Sequence, residues 1–146
     1  IRGGSAGGYT ALQSLIKSNQ FIAGVSLAGV SDVLCLLNTT HKFESNYVSS
    51  LIGTGPGLIE RCRERSPLYS LLSITSPILI IQGAKDPVVP VQQARDLVSA
   101  RRIENYPVRY LEFQNEWHGL RRSENVAKAL NEELNFYVET FQLNTN

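Results

Sequence analysis

Methionine is absent from this 146-residue chain, and cysteine, histidine and tryptophan are scarce, at two, two and one residues. Each shortage narrows the chemistry. The cysteines, Cys35 and Cys62, have no C-x-x-C spacing and no His or Cys cluster nearby, so nothing points to a metal site, and none is expected. Both read as small apolar residues of the kind usually buried, with a disulfide in a secreted protein as the alternative. No apolar run approaches the roughly 18 residues of a membrane span, and no signal-peptide pattern opens the chain. Fourteen Lys and Arg face thirteen Asp and Glu, for a formal net charge of +1. That balance supplies no field to recruit nucleic acid or an anionic membrane, and neither is expected as a partner. The missing methionine raises the expectation of a processed or truncated chain. Truncation is favoured, because the first residues already read as the middle of a motif.

What is present is a globular composition, 42% hydrophobic and 18% charged, in a chain long enough for one domain with a core. Strand-like and helical segments alternate. Ile1-Arg2 reads as the tail of a strand. Tyr9–Lys17 carries Leu12, Leu15 and Ile16 at helical spacing. Phe21–Leu27 reads as a buried strand. Ile78–Ile81, four apolar residues ended by Gly83, suits a parallel strand covered on both faces. Val91–Ala100 predicts a helix with Pro90 near its start. Val108–Phe113 is strand-like. Ser123 reads as an N-cap, with Val126, Leu130, Leu134, Tyr137 and Phe141 on one face of a long final helix. Strands separated by helices imply an α/β fold, a mostly parallel sheet flanked by helices. Residues 31–72 lack clean periodicity and contain the breaker Gly53-Thr54-Gly55-Pro56-Gly57. They predict an excursion of short helices over the C-terminal edge of the sheet, where ligands bind in open α/β folds. Asn38-Thr39-Thr40 fits the N-glycosylation acceptor pattern, which matters only in a secreted protein.

Gly3-Gly4-Ser5-Ala6-Gly7 matches G-x-S-x-G. In a nucleophile elbow this motif places Ser at the strained apex of a strand-to-helix turn, with small residues where backbones crowd. By composition alone the pattern arises in about 5% of chains this long, so its context matters: an apparent strand precedes it and an amphipathic helix follows. The backbone N–H of Ala6 would then be one oxyanion donor. A nucleophilic Ser needs a base, and the base an orienting acid. In this fold they follow in the order Ser, Asp or Glu, His. His118 lies in a loop between the last strand and the last helix, whereas His41 sits within the excursion and reads as a solvated side chain. Asp86 follows the Ile78–Ile81 strand, and Pro87 biases it away from helix. Asp32 is the fallback acid, though a cap or turn role suits it better, and Asp96 falls on the polar face of a predicted helix.

Arg2-Gly3-Gly4-Ser5-Ala6-Gly7-Gly8-Tyr9 resembles the nucleophile segment of the prolyl oligopeptidase family, in its acylaminoacyl-peptidase and dipeptidyl-aminopeptidase-like branch. Gln82–Pro90 resembles that family's acid loop and Glu116-Trp117-His118-Gly119 its His loop. Thr40–Glu44 and Glu64–Pro67 fit the same branch. The resemblance spans almost the whole chain. It implies that residues 1–146 are the C-terminal portion of an α/β-hydrolase catalytic domain, with Ser5, Asp86 and His118 as catalytic residues. It implies an S1 pocket formed partly by the excursion and the acid loop, with Val30, Val33, Val88 and Val89 as candidates. It implies a peptide substrate, no cofactor and a cytoplasmic location, and it allows a homo-oligomer. The upstream strands and the family's β-propeller are not in this sequence. The second oxyanion donor is expected from those upstream strands, so the chain by itself is expected to be weakly active or inactive, and to expose a sheet edge. An esterase of the same fold, or a non-catalytic binding module, stands as the alternative function.

Overall fold

The computed structural model describes residues 1–39 and 45–143. His41, and the side chains of the Asn38-Thr39-Thr40 triplet, lie outside the described residues. Four parallel strands form one sheet in the order β1 (Arg2–Gly4), β2 (Gly24–Leu27), β3 (Ile78–Gly83) and β4 (Val108–Phe113). Helices α1 (Ala6–Lys17), α5 (Val91–Ile103) and α6 (Ser123–Phe141) follow β1, β3 and β4. Between β2 and β3 run α2 (Val33–Thr39), α3 (Ser45–Ile52), α4 (Leu58–Glu64) and a 3-10 segment, Pro67–Ser73. None of the described helices is long and apolar enough to cross a membrane.

Every residue of β3 is buried, which is why its sequence is a continuous apolar run rather than an alternation. Its side chains still divide by face. Ile78 and Ile80 join Leu12 and Leu15 of α1 and Leu97 and Val98 of α5. Leu79 and Ile81 join Val25 of β2 and Ala129 and Phe136 of α6. Helices therefore cover both faces, and each aliphatic side chain so buried contributes about 1.5–3 kcal/mol. β1 lies at one edge and pairs with β2 alone among the described strands.

Two readings of the final helix are corrected. Ser123 is its first residue, not its N-cap: Arg122 holds that position and no side chain caps it. The anion at this helix start comes from Glu116, whose buried carboxylate accepts from the N–H groups of Arg121 and Arg122 at 3.0 Å each and from Asn125 Nδ2 at 2.8 Å. The face that packs on the sheet is Ala129, Glu133 and Phe136, whereas Leu130 and Leu134 are 56% and 59% exposed. Glu133 can be buried because its carboxylate takes Arg2 Nε at 2.7 Å and the Tyr137 hydroxyl at 3.0 Å. That ties α6 to β1 through a charge in what looked like a polar position. Among the described residues neither cysteine forms a disulfide: Cys62 is fully buried and Cys35 half-buried, and burial pushes both thiols up.

Candidate active site

Ser5 stands between β1 and α1 at φ 53°, ψ −122°, a left-handed backbone that costs a non-glycine residue about 1–3 kcal/mol. The surroundings over-determine it. The Ser5 N–H donates to the Leu27 carbonyl at 2.9 Å, and the Tyr9 N–H donates to the Ser5 carbonyl at 3.1 Å. A Cβ on Gly3 would meet the Gly7 carbonyl oxygen at 2.0 Å, and one on Gly8 would meet Gly29 Cα at 2.7 Å. Glycine at these two positions is what lets the strand fold back on its helix and the helix close on the β2 loop. The N–H of Ala6 belongs to the first turn of α1, where helix geometry offers it no intrahelical acceptor and the helix dipole favours negative charge.

Asp86 reaches the same place from the loop after β3. Its carboxylate is wholly buried. Oδ1 accepts from the N–H groups of Val88 (2.8 Å) and Val89 (2.9 Å). Oδ2 accepts from Gln82 Nε2 at 2.9 Å and faces His118 Nδ1, also at 2.9 Å. His118 follows β4, and its Nε2 lies 2.9 Å from Ser5 Oγ. A buried carboxylate surrounded by donors is an acceptor only. Nδ1 therefore carries the imidazole proton, and Nε2 presents a lone pair to the Ser5 hydroxyl. The two loops are locked together: Ala84 N–H donates to the Phe113 carbonyl at 3.0 Å and Lys85 N–H to the Glu116 carbonyl at 2.9 Å. The Glu116 carboxylate, held below the usual range chiefly by the Asn125 hydrogen bond and against the effect of burial, closes the far end of the His118 loop onto α6.

The rival acids sit elsewhere. Asp32 Oδ1 accepts from the N–H groups of Leu34 and Cys35 at the start of α2, at 2.9 and 3.1 Å. Asp96 is exposed and bonded to Gln92.

An apolar cavity of about 280 Å³ has Ala6, the residue after Ser5, in its wall, with Tyr9, Val30, Val33, Leu36, Val48, Ile52 and Arg65. The Tyr9 hydroxyl donates to the Arg65 carbonyl at 2.9 Å, and burial, opposed by the Arg65 charge, pushes that phenol up. Val30 and Val33 line the cavity. Val88 and Val89 are not part of its lining: they pack against the same apolar cluster, and their N–H groups hold Asp86. Glu116 and Gln82 were visible in sequence only as members of the two loops. The available signal for Gln82 is a polar residue continuing the Ile78, Ile80 row of an otherwise apolar strand.

A hydroxyl, an imidazole and a carboxylate in this relay can pass the hydroxyl proton to the ring and hold the ring's charge. They suit nucleophilic acyl transfer. Known peptidases are similar to this chain. Dipeptidyl aminopeptidase BIII of Pseudoxanthomonas mexicana is 37% identical over 138 residues, covering 90% of this chain and 20% of that protein. Dipeptidyl peptidase family member 6 of Caenorhabditis elegans is 32% identical over 148 residues, covering 97% and 19%. A puromycin-hydrolyzing peptidase of Mycobacterium tuberculosis superposes with a TM-score of 0.92 at 41% identity, covering 96% of this chain and 21% of that one. The chain thus spans about a fifth of the length of these relatives. The profile of the prolyl oligopeptidase family matches residues 1–144, and the chain belongs to that family.

Proposed function

We propose that this chain provides the Ser-His-Asp machinery of a serine peptidase that cleaves short peptides through an acyl-enzyme. Ser5 Oγ attacks the scissile carbonyl while His118 Nε2 takes its proton. Asp86 holds the tautomer and balances the imidazolium. The Ala6 N–H stabilises the oxyanion. His118 then protonates the leaving amine, and water repeats the sequence to release the acid. The observation that carries this reading is the relay itself, with both of its contacts at 2.9 Å and its carboxylate buried. The apolar cavity next to Ala6 supports a preference for a bulky apolar side chain on the acyl side of the bond.

A second oxyanion donor is expected from a part of the hydrolase sheet that this chain lacks. The 146 residues alone are therefore proposed to be weakly active or inactive. The test compares the full-length protein, its Ser5→Ala variant and the isolated chain against peptide anilides and short-chain esters. Peptide cleavage by the full-length protein that Ser5→Ala abolishes supports the reading. Turnover of esters without peptides makes the protein an esterase instead. Turnover by the isolated chain at the full-length rate removes the proposal that it is incomplete.

A further inference from the structure

Ile78, Ile80 and Gln82 occupy one face of β3, and the first two belong to the core under α1 and α5. Gln82 is only 1% exposed. Burying a carboxamide in such a row is costly unless its donors are satisfied. Here Gln82 Nε2 donates to Asp86 Oδ2 at 2.9 Å, to the Val89 carbonyl at 3.2 Å and, more weakly, to the Gly83 carbonyl at 3.4 Å. All three partners are acceptors, which fixes the orientation of the amide. The Asp86 bond falls on the oxygen that faces His118, not on the one already saturated by the N–H groups of Val88 and Val89.

We propose that Gln82 is a positioning residue for the reaction: it locks the Asp86 carboxylate and shares the charge on Oδ2, so that Asp86 meets His118 in one orientation. This rests on the serine-hydrolase reading of Ser5, His118 and Asp86. With two donors on Oδ2, each takes part of the carboxylate's charge. Removing the Gln82 donor leaves Asp86 in reach of His118, because Val88 and Val89 still hold Oδ1. The whole charge of Oδ2 then falls on the imidazole, the charged ring is favoured, and the base is protonated at higher pH. Other charged groups bordering the pair are accounted for. Lys85 is exposed, and the Glu116 carboxylate is taken up by Arg121, Arg122 and Asn125. Among the described residues, the hydrogen bonds to Asp86 come from Gln82, His118, Val88 and Val89.

The experiment measures the rate of fluorophosphonate labelling against pH in the full-length protein and its Gln82→Met variant, with thermal unfolding alongside. Methionine keeps the length of the side chain, suits the apolar row and lacks the donor. The expected result is a plateau rate lower by about three- to tenfold and an acid limb moved up by about half a pH unit or more. A folded variant whose limb stays in place or moves down overturns the proposal, whatever its plateau rate, because a merely structural role would not move the limb upward. Gln82→Asn, which keeps the amide but shortens its reach, is read by the same two results if the methionine variant does not fold. Failure of the unmodified protein to label at Ser5 would instead overturn the serine-hydrolase reading, so the two failures are distinguishable.

Discussion

On one side of Ser5 the acid and His118 loops are held largely by backbone hydrogen bonds. Lys85 is bonded to Glu116, Ala84 to Phe113, and Val88 and Val89 to the Asp86 carboxylate. On the other side the cavity is walled by side chains from α2 and α3, among them Val33, Leu36, Val48 and Ile52. Backbone bonds fix atoms to within the tolerance of a hydrogen bond, which a proton relay requires. Aliphatic packing fixes only a volume, and volumes can be refilled by other residues of similar size. On the proposed reading the relay should tolerate little substitution, whereas the cavity should set selectivity. That contrast orders the substitutions that would break it or sharpen it.

The largest expected effect is on the relay side. Ser5→Ala should lower turnover by about 10⁶-fold with the fold intact, read by steady-state kinetics and circular dichroism. Asp86→Asn comes next: it keeps the shape of the loop but favours the wrong tautomer of His118, and should cost about 10⁴-fold in kcat. Glu116→Ala removes the anion that closes the His118 loop onto α6 and should lower kcat by about ten- to a hundredfold with little change in KM. A loss confined to KM would assign Glu116 to the binding side instead. On the cavity side, Val33→Phe should raise KM about tenfold for substrates with a bulky apolar acyl side chain and spare those with a small one. If it lowered kcat equally for both, the division between relay and cavity would fail.

The smallest effect lies away from both. Glu112 accepts from Arg95 at 2.7 and 2.9 Å and is held at about 2 against its ordinary 4.5, chiefly by that bonding and against the effect of burial. A carboxylate depressed in this way stabilises the fold above its unfolded value, and the contribution is lost as pH falls from about 4.5 toward 2. Arg95 is 46% exposed, so screening limits the pair to under about 1 kcal/mol. Glu112→Gln should flatten the pH dependence of Tm across that window by a correspondingly small amount and leave turnover unchanged.

Much of the fold was legible because β3 declares itself as a continuous apolar run, and α1 and α5 by helical spacing. Ser5, Asp86 and His118 could be singled out because each stands in a short loop after a strand, in the order the fold requires. The rest depended on contacts between distant residues. Glu116 serves the start of α6, which a local search for a cap assigned to Ser123. Burial of Glu133 rather than Leu130 and Leu134 depends on Arg2, 131 residues away. The bond from Gln82 to Asp86 spans only four residues, but it forms because the acid loop folds back over the end of β3, which periodicity does not encode. Of the four valines expected near a substrate, Val30 and Val33 line the cavity, and the N–H groups of Val88 and Val89 bond the Asp86 carboxylate.

The central claim is that Ser5 is a nucleophile activated by His118, and the most direct measurement is covalent. The full-length protein is treated with a fluorophosphonate, digested, and the modified peptide identified by mass spectrometry, with Ser5→Ala and His118→Ala treated alongside. The account predicts one modified peptide containing Ser5, absent in Ser5→Ala and formed at least a hundredfold more slowly in His118→Ala, on the order of a general base's contribution. A folded protein that takes up no label, or labels equally in all three forms, would contradict it.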